Sequence, residues 1–220
     1  MNETLQDLIT AINRIPGFYY SMPAIAVHND NLATSTRSEE VKYYERRFVA
    51  HLKSEYDNLI KNGATENYQD VNTDLEVIKK YIYSERPDNA IVDAYKKLTG
   101  RDNKKTFDTI TTIPGFFIHK EQDDWDEEFQ RLAMEVKTLP AINTDDFFLD
   151  LFKINVYVEK YHFQNGVYLL VNNDFLRIEE LTNDYKREGL YLAPTGQERI
   201  HLFVKTDYNS DVKIFNLIDK

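Results

Sequence analysis

The chain of 220 residues has no cysteine. Disulfides, cysteine-ligated zinc and a thiol nucleophile are therefore excluded. Glycine and proline are scarce, at 7 and 6 residues, and no Ser/Gly-rich or Pro-rich linker interrupts the sequence. One domain over 1–220 is expected, without low-complexity segments. The longest apolar runs fall far short of a membrane span, so no membrane partner is expected. The stretch Met1-Asn2-Glu3-Thr4 is acidic and polar, unlike the basic and apolar blocks of a secretory leader, and a cytoplasmic location is expected. Positive charge is also in short supply: 27 Lys and Arg stand against 37 Asp and Glu, a net charge of −10. That balance opposes simple neutralisation of a nucleic-acid backbone, which needs a basic surface.

What the chain does have is apolar matter, 42% of residues with 13% aromatic, enough for a sizeable core. Leu5, Leu8, Ile9 and Ile12 are spaced for one face of a helix over 3–14. Ser38 is a candidate N-cap for a long helix whose stripe runs Val41, Tyr44, Phe48, Leu52, Tyr56, Leu59 and Ile60, and Asn62-Gly63 ends it. Residues 70–84 and 88–98 read as two more helices. From 113 the pattern changes. Phe116–His119 reads as a strand, 145–162 as a helix with Phe148, Leu151, Phe152, Val156 and Tyr157 inward, and Val167–Val171 as a buried strand. Residues 174–187 are helical, and Arg199–Lys205 with Val212–Ile218 form a hairpin around 207–210. The sum predicts an α/β (α+β) fold: a helical part over 1–105, a strand-helix-strand core over 106–172, and a helix plus hairpin over 173–220. The tetrapeptide Ile-Pro-Gly-Phe occurs at 15–18 and again at 113–116, which reads as shared turn chemistry rather than duplication.

Within 113–172 one ordered block stands out. Ile113-Pro114-Gly115-Phe116-Phe117-Ile118-His119 is followed by a polar loop, then Leu132-Ala133-Met134-Glu135-Val136-Lys137-Thr138, a helix with Asp150, Lys153 and Tyr157, and the strand 166–172. This resembles the core of the PD-(D/E)XK, or restriction-endonuclease-like, nuclease superfamily. In that family a Pro-Asp opens one strand, Glu-X-Lys lies on the next, and a helix carrying a glutamate precedes them. The resemblance implies a nuclease-like core over 106–172 and Mg²⁺ (or Mn²⁺) as cofactor. It implies Glu135 as metal ligand and catalytic residue, Lys137 as catalytic lysine, and Glu40 or Glu45 from the preceding helix completing the metal site. The implied activity is hydrolysis of phosphodiester bonds, DNA favoured, in bacterial or phage defence or restriction. A homodimer or a larger complex with a protein partner is the implied assembly.

The spacing suits that chemistry. Residues two apart in a strand share a face, so Glu135 and Lys137 would stand together with Leu132, Met134 and Val136 on the opposite side. A hard divalent cation takes one or two carboxylates with waters and substrate phosphate. A neighbouring lysine could orient or help deprotonate the attacking water, or neutralise developing charge. The departure is Gly115, which stands where the family has aspartate and cannot bind a metal. Asp108, Asp123, Asp124, Asp126, Glu40 and Glu45 are candidates to replace it. The alternative reading is a catalytically inactive nuclease-fold subunit, or an acidic inhibitor or interaction protein, favoured by Gly115 and the charge of −10.

Residues 124–137 also admit a helix, with Trp125, Phe129, Leu132, Ala133 and Val136 on one stripe, Asp124 as N-cap and Glu127 as its capping partner. On that reading Glu135 and Lys137 are surface residues. The same triplet at Glu40-Val41-Lys42 falls at the start of the clearest helical stripe and reads as helix surface. The five histidines are dispersed without ligand spacing, although His119, closing the candidate strand, is a candidate neighbour of the site.

Overall fold

The structure is a computed structural model. It describes residues 2–20, 36–61, 89–99, 115–119, 129–193 and 197–217, with side chains from 45 onward in the second of these segments. The helix expected over 70–84 and the acids Asp108, Asp123, Asp124 and Asp126 lie outside the described residues.

Among the described residues, five α-helices and five strands follow one another as α1 (Glu3–Arg14), α2 (Thr36–Lys61), α3 (Asn89–Thr99), β1 (Phe116–His119), β2 (Gln130–Lys137), α4 (Thr144–Lys160), β3 (Gly166–Val171), α5 (Phe175–Arg187), β4 (Ile200–Lys205) and β5 (Lys213–Asn216). The strands form one mixed sheet in the order β1-β2-β3-β4-β5. The pairs β1–β2 and β4–β5 are antiparallel, and β2–β3 and β3–β4 are parallel. Two parallel neighbours need two crossover helices. Because both crossovers step in the same direction along the sheet, α4 and α5 land on the same face.

Alternation along the strands sorts the core into two layers. Leu132, Met134 and Val136 of β2, with Val167, Leu169 and Val171 of β3, pack against α1 and α2 through Leu8, Ile12, Phe48, Leu52 and Tyr56. Ala133, Tyr168, Leu170, Leu202 and Val204 face α4 and α5 through Phe147, Leu151, Ile154, Ile178 and Leu181. The result is a sheet between two helical layers, a mixed α/β architecture. The hairpin strands β4 and β5 extend this sheet, so the core continues past residue 172.

Local signals explain the boundaries. Asn143 caps α4 by accepting from Asp146 N at 2.9 Å, and Asp145 and Asp146 place negative charge at the positive end of the helix. Asp174 caps α5 through Arg177 N in the same way. The hairpin turns on Asp207, whose Oδ1 accepts from Asn209 N and Ser210 N. The long helix α2 starts at Thr36, so Ser38 lies inside its first turn and is not its N-cap. In α4 the inward residues include Phe147 and Ile154, while Val156 is only partly covered.

One glycine governs the sheet-to-helix distance. A Cβ built on Gly166 would lie 2.5 Å from Ile154 Cγ2 and 2.8 Å from Val158 Cγ2. Helix α4 therefore sits directly on the backbone at the start of β3, an approach only glycine admits.

Candidate functional site

Residues 130–137 are a strand, hydrogen-bonded on both sides. The competing helix is excluded over this stretch. Its alternation puts Leu132, Met134 and Val136 toward α1 and α2, and Glu135 and Lys137 toward α4, as the strand reading requires. The triplet Glu40-Val41-Lys42 lies within α2.

On the α4 face Glu135 and Lys137 meet polar side chains from three other elements. Asp150 and Lys153, one turn apart on α4, form an ion pair of 2.6 Å between Asp150 Oδ1 and Lys153 Nζ. Asp150 Oδ2 lies 3.1 Å from Lys137 Nζ. Lys153 Nζ reaches Glu135 Oε1 at 3.5 Å, and Lys137 Nζ reaches Glu45 Oε2 of α2 at 3.8 Å. Two phenols complete the arrangement. Tyr157 OH donates to Glu135 Oε1 at 3.2 Å, and Tyr168 OH of β3 donates to Asp150 Oδ2 at 3.1 Å. Five charged groups are thus gathered at the end of β2, three acidic and two basic.

Access is graded. The side chains of Asp150 and Glu135 are 4% and 7% exposed, whereas those of Lys137 and Glu45 are 23% and 28% exposed. The solvent-facing side of the network is therefore Lys137 with Glu45, and the carboxylates behind them are covered.

Burial sets the protonation states. It pushes the Glu135 carboxyl up to about 7, against the pull of Lys153 and Lys137. Burial likewise raises Glu45 above the usual carboxyl range. Burial works against the Lys137 and Lys153 ammonium groups, yet the surrounding carboxylates more than reverse it, and both lie above the ordinary lysine value. Lys137 is therefore a cation at neutral pH: it can donate hydrogen bonds and neutralise charge, but it is not a base. Tyr157 and Tyr168 are raised by burial and by the adjacent carboxylates, and they remain neutral donors.

The Glu135 shift has a sign for stability. Its ordinary value is 4.5 and its folded value about 7. The folded state holds this proton more tightly than the unfolded state, so the contribution is fully present below pH 4.5 and is lost as pH rises through 7. A shift of this size corresponds to a loss on the order of 3 kcal/mol. Urea melts at pH 5 and pH 8 are expected to show a smaller loss of stability in Glu135→Gln than in the parent chain. An equal loss in both would assign the pH dependence elsewhere.

Neither a family model, nor a curated protein, nor a solved structure matches the chain.

Of the nominated residues, the structure brings Glu135, Lys137 and Glu45 together. Glu40 belongs to α2, and its side chain is outside the described part. Gly115 precedes β1. Extending the register Phe116↔Met134 by one residue sets it opposite Glu135. His119 pairs with Gln130 at the far end of β2, away from Glu135 and Lys137. Sequence reasoning passed over Asp150 and Lys153 as site residues. The available signal was a carboxylate within the buried stripe Phe147, Leu151, Ile154 and Val158, where an apolar residue is the norm.

Among the described residues no three His, Asp or Glu side chains form a group able to hold a metal by themselves. The donor chemistry nonetheless suits a hard divalent ion: every acidic group here offers carboxylate oxygen, and Mg²⁺ commonly takes only one or two protein carboxylates with waters and phosphate oxygens. Glu135 and the more exposed Glu45 are the residues that would hold it.

Proposed function

We propose that the chain is a metal-dependent nuclease that hydrolyses phosphodiester bonds, with Glu135 and Lys137 as its catalytic pair and DNA as its substrate. The observation that carries this reading is the convergence of Glu135 and Lys137 of β2 with Glu45 of the preceding helix α2, in a chain whose order from there is strand pair, helix, parallel strand. A restriction-endonuclease-like core, inferred from the sequence block, has this order and this placement of acid and lysine.

A divalent ion held at Glu135 and Glu45 would supply Lewis acidity and an activated water. The protein's own groups do the rest. Lys137, a partly exposed cation, would offset charge as the phosphorus centre becomes more negative. Tyr157 fixes one oxygen of Glu135. The covered carboxylate of Asp150 keeps the two lysines apart from one another's charge.

Incubation of the full chain with supercoiled plasmid and with single-stranded DNA, in Mg²⁺ or Mn²⁺, tests this. Cleavage that a chelator abolishes is the expected result. No cleavage of either DNA, or of RNA, with either ion overturns the reading.

A second reading has its own observation. Gly115 offers no carboxylate opposite Glu135, and Lys137 and Lys153 occupy both oxygens of Asp150. A nuclease-fold subunit without activity fits that state. A Cβ at 115 would meet Val136 N at 3.4 Å, Met134 O at 3.5 Å and Val136 Cγ2 at 3.7 Å, which are ordinary contacts. A β-carbon is thus admitted at this position. In an inactive parent, Gly115→Asp is expected to create Mg²⁺-dependent nicking of plasmid. A folded Gly115→Asp chain that stays inert would count against a degenerate nuclease site.

A further inference from the structure

The chain has no aspartate at 115, yet its lysines are held by another acid. We propose that Asp150 is a positioning residue for the reaction: its carboxylate sets Lys137, and recruits Lys153 as a second ammonium group, for contact with the substrate phosphate. The inference rests on the nuclease reading above.

The geometry points this way for three reasons. First, Asp150 uses both oxygens, Oδ1 on Lys153 at 2.6 Å and Oδ2 on Lys137 at 3.1 Å. No other acid among the described residues contacts both lysines. A lysine ammonium ends four rotatable bonds, so one anion that binds two of them fixes much otherwise free motion. Second, Asp150 is itself fixed and covered. Its side chain is 4% exposed, Tyr168 OH donates to it at 3.1 Å, and the Tyr168 ring stacks on Phe147 with centroids 5.3 Å apart. Position is thus transmitted from the packed core, through one phenol and one carboxylate, to the ammonium groups. Third, a buried charge network adds little to stability compared with apolar packing, which makes organisation of charge its better-founded use.

Asp150 is too covered to meet substrate, so it acts through the lysines and is not a catalytic residue. A site with two ammonium groups around one anion also specifies its ligand. It suits a phosphodiester, whose oxygens can take a hydrogen bond from each lysine.

The test uses the full chain with Asp150→Asn, Asp150→Glu and Tyr168→Phe. Nitrogen NMR of the lysine ammonium groups is expected to show slowly exchanging Nζ signals for Lys137 and Lys153 in the parent and their loss in Asp150→Asn, while the backbone amide spectrum is kept. In cleavage assays kcat is expected to fall about 100-fold with KM little changed, as for a misplaced catalytic group. Asp150→Glu should recover part of kcat. Should Asp150→Asn not fold, Tyr168→Phe removes only the phenol that steadies Asp150, and a smaller fall in kcat at constant KM is expected. Ammonium signals or kcat unchanged in a folded Asp150→Asn overturn the proposal. A parent chain that shows the ammonium signals but cleaves nothing overturns the nuclease reading, and with it the catalytic part of this assignment, while leaving Asp150 as the group that holds the lysines.

Discussion

Lys137→Ala is expected to lower metal-dependent DNA cleavage by about 100-fold or more, the cost of removing a charge-stabilising donor from a transition state. The effect on folding should be small by comparison. The Lys137 side chain is 23% exposed, and Asp150 keeps Lys153 and Tyr168 when Lys137 is gone. The buried carboxylate stays compensated by the ammonium group and the phenol that remain. Initial rates on plasmid, measured beside a urea melt of the same preparation, separate the two quantities. A variant that cleaves at the parent rate removes Lys137 from the reaction. A variant that loses activity only because it unfolds overturns the expected small effect on folding. Lys153→Ala is expected to cost stability as well as rate, since that lysine is more covered and pairs with both Asp150 and Glu135; breaking a buried pair costs about 3–5 kcal/mol.

The second large effect concerns stability alone. Gly166→Val is expected to destabilise the fold by about 3 kcal/mol or more, and Gly166→Ala by about 1–3 kcal/mol, because the added carbons overpack a finished contact. The atoms in the way are Ile154 Cγ2 and Val158 Cγ2. Both belong to β-branched side chains on a helix, where χ1 has one strongly preferred setting, so neither methyl can turn aside. Helix α4 must then lift from the sheet, and Asp150 and Lys153 lift with it. Gly115→Ala is the matched control, since its added carbon finds only ordinary contacts. Denaturant midpoints of the three variants decide the matter. A Gly166→Ala protein as stable as Gly115→Ala would mean that α4 is free to shift.

Some of this was legible in the sequence, for physical reasons. Phe48, Leu52, Tyr56 and Leu59 recur with the period of a helix and are buried together on α2. Asp207 and Ser210 carry turn chemistry, and the hairpin turns there. The pair Glu135 and Lys137 could be assigned one face of a strand because strand geometry leaves them no other choice. The strand itself was harder. Leu132, Ala133 and Val136 satisfy a helical stripe as well as a buried strand, and what decides between them is hydrogen bonding to β1 and β3, a non-local term that periodicity does not contain. The helix α2 begins at Thr36, three residues before the start that a cap at Ser38 predicts, because a short oxygen side chain suits the first turn as well as the cap. The sequence places Asp150 on the helix after β2 but gives it no role in the site, for a similar cause. Its burial depends on where α4 lies over β2 and β3, and that depends on the bare backbone of Gly166.

The sequential order of the strands also bears on how the chain folds. Every neighbour in the sheet is also the next strand in the chain, so β1 to β5 with α4 and α5 can assemble through comparatively short loops. The opposite layer is different. Asn2 Nδ2 donates to Asn165 Oδ1 across 163 positions of sequence, and Lys205 Nζ donates to Asn13 Oδ1 across 192. Closing loops of that length costs entropy before any contact rewards it. Contact order therefore predicts that the amino-terminal helices dock late, on a sheet already formed, and that Glu45 meets Lys137 at that step.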